Sequence, residues 1–266
     1  MKISVVTISF NQAKYLRECM DSVLNQDYSD IEYIVVDPGS TDGSREIIES
    51  YGDRVIKVFE KDAGAADGLN KGFATATGSI YCYLNSDDTF LPGAFSTIIQ
   101  CFNRLNGIDI LCGHAFIIDA QSKKVRKVYS DSFNLKAVAY GAVVSIQPST
   151  FFKRQVFAKC GGFNIMNKSN WDGELLIDMA LAGASICVLN NFLSCYRVHS
   201  TSITGTGRLN DAHTQHSKNM FVKIFGREQT LSDRVLSYVY RLKKHLTNPY
   251  ATIERLRYGR VFGSVK

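Results

Sequence analysis

The chain opens on Ile3-Ser4-Val5-Val6-Thr7-Ile8-Ser9-Phe10, a run too short for a helix and dense in β-branched residues. It predicts a buried strand over residues 3–10. Tyr15, Leu16, Cys19, Met20, Val23 and Leu24 then recur at the three-to-four spacing of an amphipathic helix. Residues 33–37 read as a second strand closed by the turn Gly39-Ser40-Thr41-Asp42-Gly43, after which Ile47, Ile48 and Tyr51 mark a second helix. A third strand over 55–59, a short helix over 65–76 and a fourth strand over 79–84 continue the alternation. Strand and helix in turn imply a mostly parallel sheet with helices on both faces.

The second half is less regular. Residues 91–105 have helical periodicity, 108–118 and 124–129 read as strands, and 133–160 mixes helix or loop with the extended run Ser149 to Lys153. An apolar-faced helix is predicted over 173–182 and a last strand over 186–197, ending in Tyr196-Arg197-Val198-His199. Ser, Thr and Gly dominate residues 201–208, which predicts a loop or linker.

In an open parallel sheet, ligands sit at the carboxyl ends of the strands, so the polar residues that close each apolar run are the ones to inspect. Thr7, Ser9 and Asn11 close the first, Asp37 the second, Glu60 and Asp62 the third, and Asn85-Ser86-Asp87-Asp88 the fourth. Asp87 and Asp88 repel each other unless a cation or a proton intervenes, and hard carboxylate oxygens suit Mg²⁺ or Mn²⁺. The same pair can equally form a turn in which Asp88 caps a helix near Pro92. Asp37 can accept hydrogen bonds from a base or ribose, or simply open a turn. The chain contains neither Gly-x-Gly-x-x-Gly nor Gly-x-x-x-x-Gly-Lys, which argues against dinucleotide dehydrogenases and P-loop enzymes.

Asp172 and Glu174 stand before the apolar helix, where a carboxylate is either a cap or a general base. Glu174 and Asp178 lie four apart, and one of them is expected to be solvated or paired. His199 is a structural residue or a metal ligand. His213 and His216 read as surface residues.

Composition adds two points. With 45% apolar and 21% charged residues the chain has the make-up of a globular domain. The formal net charge of +6 is split unevenly: Lys+Arg minus Asp+Glu is 19 − 21 = −2 over residues 1–204 and 12 − 4 = +8 over 205–266. That basic tail, with Tyr238, Tyr240, Leu242, Leu246, Ile253, Leu256 and Phe262 among its cations, suits an anionic membrane surface or nucleic acid, or is a helical subdomain with solvated cations. The seven cysteines are scattered without a Cys-x-x-Cys pair, so neither a disulfide framework nor a zinc site is expected. The N-terminus does not read as a secretory signal and no apolar run is long enough to span a bilayer. A cytoplasmic protein, peripheral at the inner face of the plasma membrane, is the expectation.

Seven pieces in order resemble a family 2 glycosyltransferase with the GT-A fold. They are Val5-Val6-Thr7-Ile8-Ser9-Phe10-Asn11, Val36-Asp37-Pro38-Gly39-Ser40-Thr41-Asp42-Gly43-Ser44, Asp67-Gly68-Leu69-Asn70-Lys71-Gly72, Leu84-Asn85-Ser86-Asp87-Asp88, Gln147-Pro148-Ser149-Thr150-Phe151-Phe152, Gly161-Gly162-Phe163 and Tyr196-Arg197-Val198-His199. The resemblance implies a three-layer α/β/α sandwich over residues 1–204, with a nucleotide-binding half (1–90) and an acceptor-binding half (91–204), followed by a basic, mainly helical extension (205–266). It implies inverting transfer of a sugar from a nucleotide diphosphate donor, a UDP-sugar being favoured, to a saccharide or lipid-linked acceptor in cell-surface glycoconjugate assembly, with Mn²⁺ or Mg²⁺ as cofactor and no nucleic-acid partner. By position, Thr7, Ser9, Asn11, Asp37, Asp67, Lys71, Asn85 and Asp87 contact the donor. Asp88, with Asp87 and His199, holds the cation, and Asp172 is the base with Glu174 as its rival. Pro38 stands where a second acidic residue is common, and Asp178 where Arg is frequent. The competing classes are a non-catalytic nucleotide- or saccharide-binding module, and a metal-dependent nucleotidyltransferase that would release pyrophosphate.

Overall fold

The computed structural model describes residues 1–200 and 210–259, with side chains for all of these except 210–214. The first half runs β1 (Ile3–Ile8), α1 (Ala13–Leu24), β2 (Ile31–Val36), α2 (Ser44–Glu49), β3 (Ile56–Val58), α3 (Ala65–Thr75) and β4 (Ile80–Asn85). Then come β5 (Thr89–Phe90), α4 (Ala94–Arg104), β6 (Ile110–Ile118), β7 (Lys124–Val128), α5 (Leu135–Ala139), β8 (Thr150–Lys153), α6 (Arg154–Cys160), α7 (Trp171–Leu181) and β9 (Ile186–Arg197). Helices α8 (Asn210–Phe225), α9 (Leu231–Thr247) and α10 (Pro249–Tyr258) follow. The predicted linker over 201–208 lies outside the described residues, as do Phe262 and the side chain of His213.

All nine strands join one sheet in the order β3-β2-β1-β4-β8-β6-β9-β5, with β7 paired to β6. Strands β3, β2, β1 and β4 are parallel, as the alternation predicted. Strand β8 then enters antiparallel to both β4 and β6, and β9 runs parallel to β6. The insertion of β8 at the middle of the sheet, and the two-residue β5, are what sequence periodicity did not show.

Side-chain alternation sorts the core into two layers. Ile3, Val5, Tyr33 and Val35 face α1, α2 and α4, while Val6, Ile34 and Val36 face α3, α6 and α7. The second layer is aromatic: Phe73 stacks on Tyr81 at 4.8 Å and meets Phe157 at 4.9 Å, and Phe163 bridges to Trp171 at 5.5 Å. Helix α3 lies so close to the sheet that a Cβ on Gly72 would come within 2.5 Å of Val6 Cγ1.

The C-terminal helices cover a different part of the molecule. Phe221 of α8, fully buried, packs with Ala139 and Tyr140, and Tyr140 stacks on Tyr240 of α9 at 4.9 Å. Helix α9 begins with a capping box between Thr230 and Asp233, and Asp233 also takes Arg227 Nη1 at 2.6 Å and the Tyr140 hydroxyl at 2.9 Å. Helix α10 packs on β7. No helix among the described residues is long and apolar enough to cross a membrane.

Replacing Phe73 by Ala removes the ring at the centre of the aromatic layer and leaves a cavity, with an expected cost of about 3–5 kcal/mol. Denaturant titration of the variant checks it, and a loss below about 1 kcal/mol would mean that the layer collapses without penalty.

Candidate active site

Strands β1, β2 and β4 lie side by side with Ile8 opposite both Val36 and Asn85, so the residues that follow them meet along one edge. The loops there are laced together. Asn11, at φ +52°, accepts the Thr41 N–H at 2.9 Å, and its own N–H donates to Ser40 Oγ. Helix α1 has no cap of its own, and Asp42 from the neighbouring loop accepts the Ala13 N–H at 2.9 Å.

Asp37 is fully buried. Its Oδ1 accepts the Gly39 and Ser40 N–H groups and Arg45 Nε at 3.1 Å, and Arg45 is held over the Phe59 ring. Its Oδ2, like the Oγ of buried Ser9 on the neighbouring strand, has no hydrogen-bond partner among the described residues. Two unpaired buried oxygens on adjacent strand ends are costly and mark a place where a ligand supplies the missing groups. The Thr7 hydroxyl is buried against α1, accepting from the Tyr33 hydroxyl at 3.0 Å, and Ser9, just past the end of β1, is nearer the edge.

The two adjacent aspartates occupy different environments. Asp88 is buried, its Oδ1 accepting the Arg197 N–H at 2.8 Å and its Oδ2 facing the Asn85 amide. Burial, and then the charge of Asp87, push its carboxyl well above the usual range. Asp87 keeps 20% of its side chain exposed and lies with Oδ2 3.1 Å from His199 Nε2. Arg197 joins the surroundings. Its Nε donates to the Asp87 carbonyl at 2.7 Å, Nη1 to the Asp119 carbonyl and Ser122 Oγ, and Nη2 to Glu18 at 2.7 Å. The Tyr15 ring lies 4.6 Å from the guanidinium and 4.9 Å from the His199 ring. Asn85 also donates to Gln147 Oε1 at 3.2 Å, and Gln147 Nε2 donates to the Tyr83 carbonyl. Sequence reasoning named His199 and left out Arg197, Tyr15, Glu18 and Gln147. Alternation along β9 was the available signal for Arg197, because residues two apart in a strand share a face.

Among the described residues no three His, Cys, Asp or Glu side chains form a ready-made metal site. A carboxylate and an imidazole 3.1 Å apart do suit a divalent cation that completes its shell with phosphate oxygens and water. The donor set therefore fits Mn²⁺ or Mg²⁺, with Asp87 partly exposed, His199 buried beside it and Asp88 behind them.

The other predicted residues divide. Asp67 accepts the Ala63 N–H at 2.9 Å and pairs with Lys71 at 3.2 Å, while Lys71 also reaches the Lys61 carbonyl, so both shape the 61–64 loop beside the edge. Asn70 holds both the N–H and the carbonyl of Phe163. Asp172 sits in the first turn of α7, near enough to Tyr83 to help raise that hydroxyl's pKa after the larger effect of burial.

Glu174 is buried and fully engaged by Asn164 at 3.1 Å, Asn167 at 2.7 Å and Lys223 of α8 at 2.9 Å. Burial acts to raise its pKa, but Lys223 and the two amides outweigh it and hold the carboxyl below its ordinary value. Lys223 also pairs with Asp178, which resolves the expected repulsion. A saturated, ion-paired carboxylate is poorly suited to act as a base. The surface reading of His216 is corrected: it is buried, with Nδ1 3.2 Å from the Asn167 amide, because α8 packs over that loop.

Residues 4–169 match the model of glycosyl transferase family 2. An uncharacterized glycosyltransferase of Nostoc sp. is 31% identical over 215 residues, which is 76% of this chain and 66% of that protein. The chain thus spans about two thirds of that relative's length. Among solved structures, S. aureus TarS 1–349 in complex with UDP-GlcNAc superposes with a TM-score of 0.67 at 16% identity, covering 98% of this chain and 77% of that one. The mannosyltransferase PcManGT from Pyrobaculum calidifontis, in complex with GDP-Man and Mn²⁺, gives 0.62 at 19% identity, covering 96% and 73%. The chain belongs to glycosyl transferase family 2, and its three layers have the GT-A arrangement of those neighbours.

Glu174→Gln removes a charge whose pKa is depressed on folding. Its stabilisation is complete above the unfolded value of about 4.3 and is lost as pH falls through the lower folded value. The variant is expected to be less stable by about 2 kcal/mol at pH 7, with the gap narrowing as pH falls below about 4 and closing only beneath the depressed folded value, as measured by melting temperature against pH. A difference that persists unchanged at pH 3 would remove the charge from the explanation.

Proposed function

We propose that the chain is an inverting glycosyltransferase that moves a sugar from a nucleotide diphosphate donor, a UDP-sugar being favoured, to a hydroxyl of a saccharide or lipid-linked acceptor in cell-surface glycoconjugate assembly. The observation that carries this reading is the pair of unpartnered buried oxygens, Asp37 Oδ2 and Ser9 Oγ, on the strand edge that also bears Asp87 and His199. Asp37 is positioned in chemistry to accept an N–H from a nucleobase, and Ser9 and Asn11 lie on the same edge. The neighbours support a nucleotide-sugar donor, TarS by its UDP-GlcNAc and PcManGT by its GDP-Man. In this reading residues 1–90 hold the donor, 91–204 the acceptor, and 205–266 form the extension.

The diphosphate falls to Asp87 and His199, with Asp88 bracing the turn from within. A bound Mn²⁺ or Mg²⁺ would offset the charge of the departing diphosphate. Asp172 takes the proton from the acceptor hydroxyl, whose oxygen forms its bond to the anomeric carbon as the bond to the diphosphate breaks on the opposite face. Lys71 and Asp67 keep the 61–64 loop closed against that edge, and Asn85 and Gln147 fix the floor beside Asp87.

A second surface supports work at a membrane. On α9, Leu231, Val235, Tyr238, Leu242 and Leu246 repeat on the solvent side and are largely exposed, while Asp233 and Tyr240 face inward. Exposed Arg234 and Arg241 flank this stripe on one edge and Lys243 on the other. An apolar stripe between two rows of cations suits the surface of an anionic bilayer, where each Lys or Arg contributes about 1 kcal/mol. In this reading the enzyme works at the inner face of the plasma membrane.

Thermal unfolding with UDP, GDP, dTDP and CMP, each with and without Mn²⁺, is expected to show a metal-dependent shift of a few degrees with one diphosphate, absent in Asp87→Asn. No shift with any nucleotide would overturn the donor site. Asp172→Asn should lower turnover by about 10² to 10⁴ with donor affinity nearly unchanged. A parallel loss of donor binding would take Asp172 out of the role of base. Leu242→Glu with Leu246→Glu is expected to abolish co-sedimentation with phosphatidylglycerol vesicles, and retained binding would exclude the α9 face.

A further inference from the structure

Away from the strand edge, β7, α9, α10 and the 141–144 turn enclose a cavity of about 550 Å³. Its wall carries Arg126, Lys127, Arg241, Lys244 and Arg255. Against these stand two carboxylates. Asp131 is committed to Lys244 at 3.0 Å, the Asn248 amide at 2.8 Å and the Val144 N–H at 2.8 Å. Glu254 accepts the Lys127 N–H at 3.3 Å. Five cations less two carboxylates leave a formal surplus of 5 − 2 = +3 on the wall.

Arg126 is the sharpest member. It alternates inward from β7 and is only 9% exposed. Its Nη1 donates to the Gly259 carbonyl at 3.1 Å and its guanidinium lies 5.4 Å from the Tyr258 ring. Nε has no hydrogen-bond partner, and among the described residues no carboxylate oxygen is within ion-pair distance of this side chain. A buried guanidinium without an ion-pair partner is strongly disfavoured unless an anion completes it. Burial pulls its pKa down, with the more distant charge of Glu254 acting the other way without offsetting it.

We infer that this cavity binds a phosphate or diphosphate ester, with Arg126 at its base and Lys127, Arg241 and Arg255 around it. A single carboxylate would neutralise too little of the surplus, whereas a diphosphate carries charge of the right size and oxygens that fit the planar guanidinium fork. The volume admits the ester and part of what it is attached to. The two sources of such a group are a soluble phosphorylated compound and the headgroup of a lipid, and the experiment separates them. This site is distinct from the donor edge and does not depend on the donor reading.

The probe is inorganic pyrophosphate, titrated calorimetrically into the full chain with EDTA present. Arg241→Gln with Arg255→Gln, both exposed positions, is expected to weaken binding at least about tenfold. Arg234→Gln with Lys243→Gln removes the same charge outside the cavity and is expected to change it less than about twofold. Arg126→Met should match the cavity pair if it folds. Equal losses in the two pairs would reduce the effect to general electrostatics and overturn the site. Loss in His199→Ala with the cavity pair unchanged would place pyrophosphate at the donor edge, overturning this inference while leaving the proposed function standing. For the source, saturating pyrophosphate that releases the chain from phosphatidic acid vesicles identifies a lipid headgroup. Vesicle binding indifferent to pyrophosphate, with calorimetric binding lost in the cavity pair, identifies a soluble ester.

Discussion

A buried guanidinium holds the active edge together. Arg197 has its side chain wholly within the protein, and its guanidinium and its backbone N–H reach the turn after β4, the 119–122 loop and helix α1. Placing two carboxylates in sequence at a strand end is unfavourable by itself. Here the backbone of Arg197 takes one of them inward while its side chain fixes the carbonyl of the other, so the pair is split into a buried partner and an exposed one. Remove that contact and neither the orientation of Asp87 nor the approach of His199 is defined, because both depend on the register between β9 and the turn.

The same division explains what could be read from the amino acids. Strands β1, β2 and β4 were legible because β-branched runs ending in polar residues leave little alternative in a protein this size, and the edge rule then gathers Ser9, Asp37 and Asp87. The facing of Asp88 was not legible. Neighbours at the end of a strand point to opposite sides, and only the later pairing of β5 with β9 decides which side is interior. Strand β8 was visible as an extended run, but its antiparallel place between β4 and β6 is set by partners more than 30 residues away in sequence. Glu174 and His216 belong to the same class of miss, since each is buried only by contacts between α8 and the 164–170 loop.

The two halves of the site rest on different kinds of support. At the donor edge the positioning groups are local: loops cap each other's helices, and Asp37 is held by N–H groups two and three residues on. Such a site survives changes elsewhere in the chain because its geometry is carried by the sheet. Helix α7, which bears Asp172, is held by distant groups. Its Glu174 and Asp178 are both tied to Lys223, and its aromatic neighbour Trp171 leans on Tyr83 and Phe163.

That asymmetry ties the C-terminal helices to the placement of α7. Lys223 sits on α8, whose Phe221 packs into the Tyr140 cluster, and Tyr140 in turn carries α9 through Tyr240 and Asp233. The helix that turns its apolar side outward is thus joined by packed side chains to the helix that bears Asp172. A load on α9, whether from a bilayer or from an anion in the cavity beneath it, falls on the same contacts that set the first turn of α7. Packed cores shift between discrete arrangements more readily than they stretch. This chain of contacts therefore links the outward face of α9 to the first turn of α7, and the edge built on the parallel strands stands outside it.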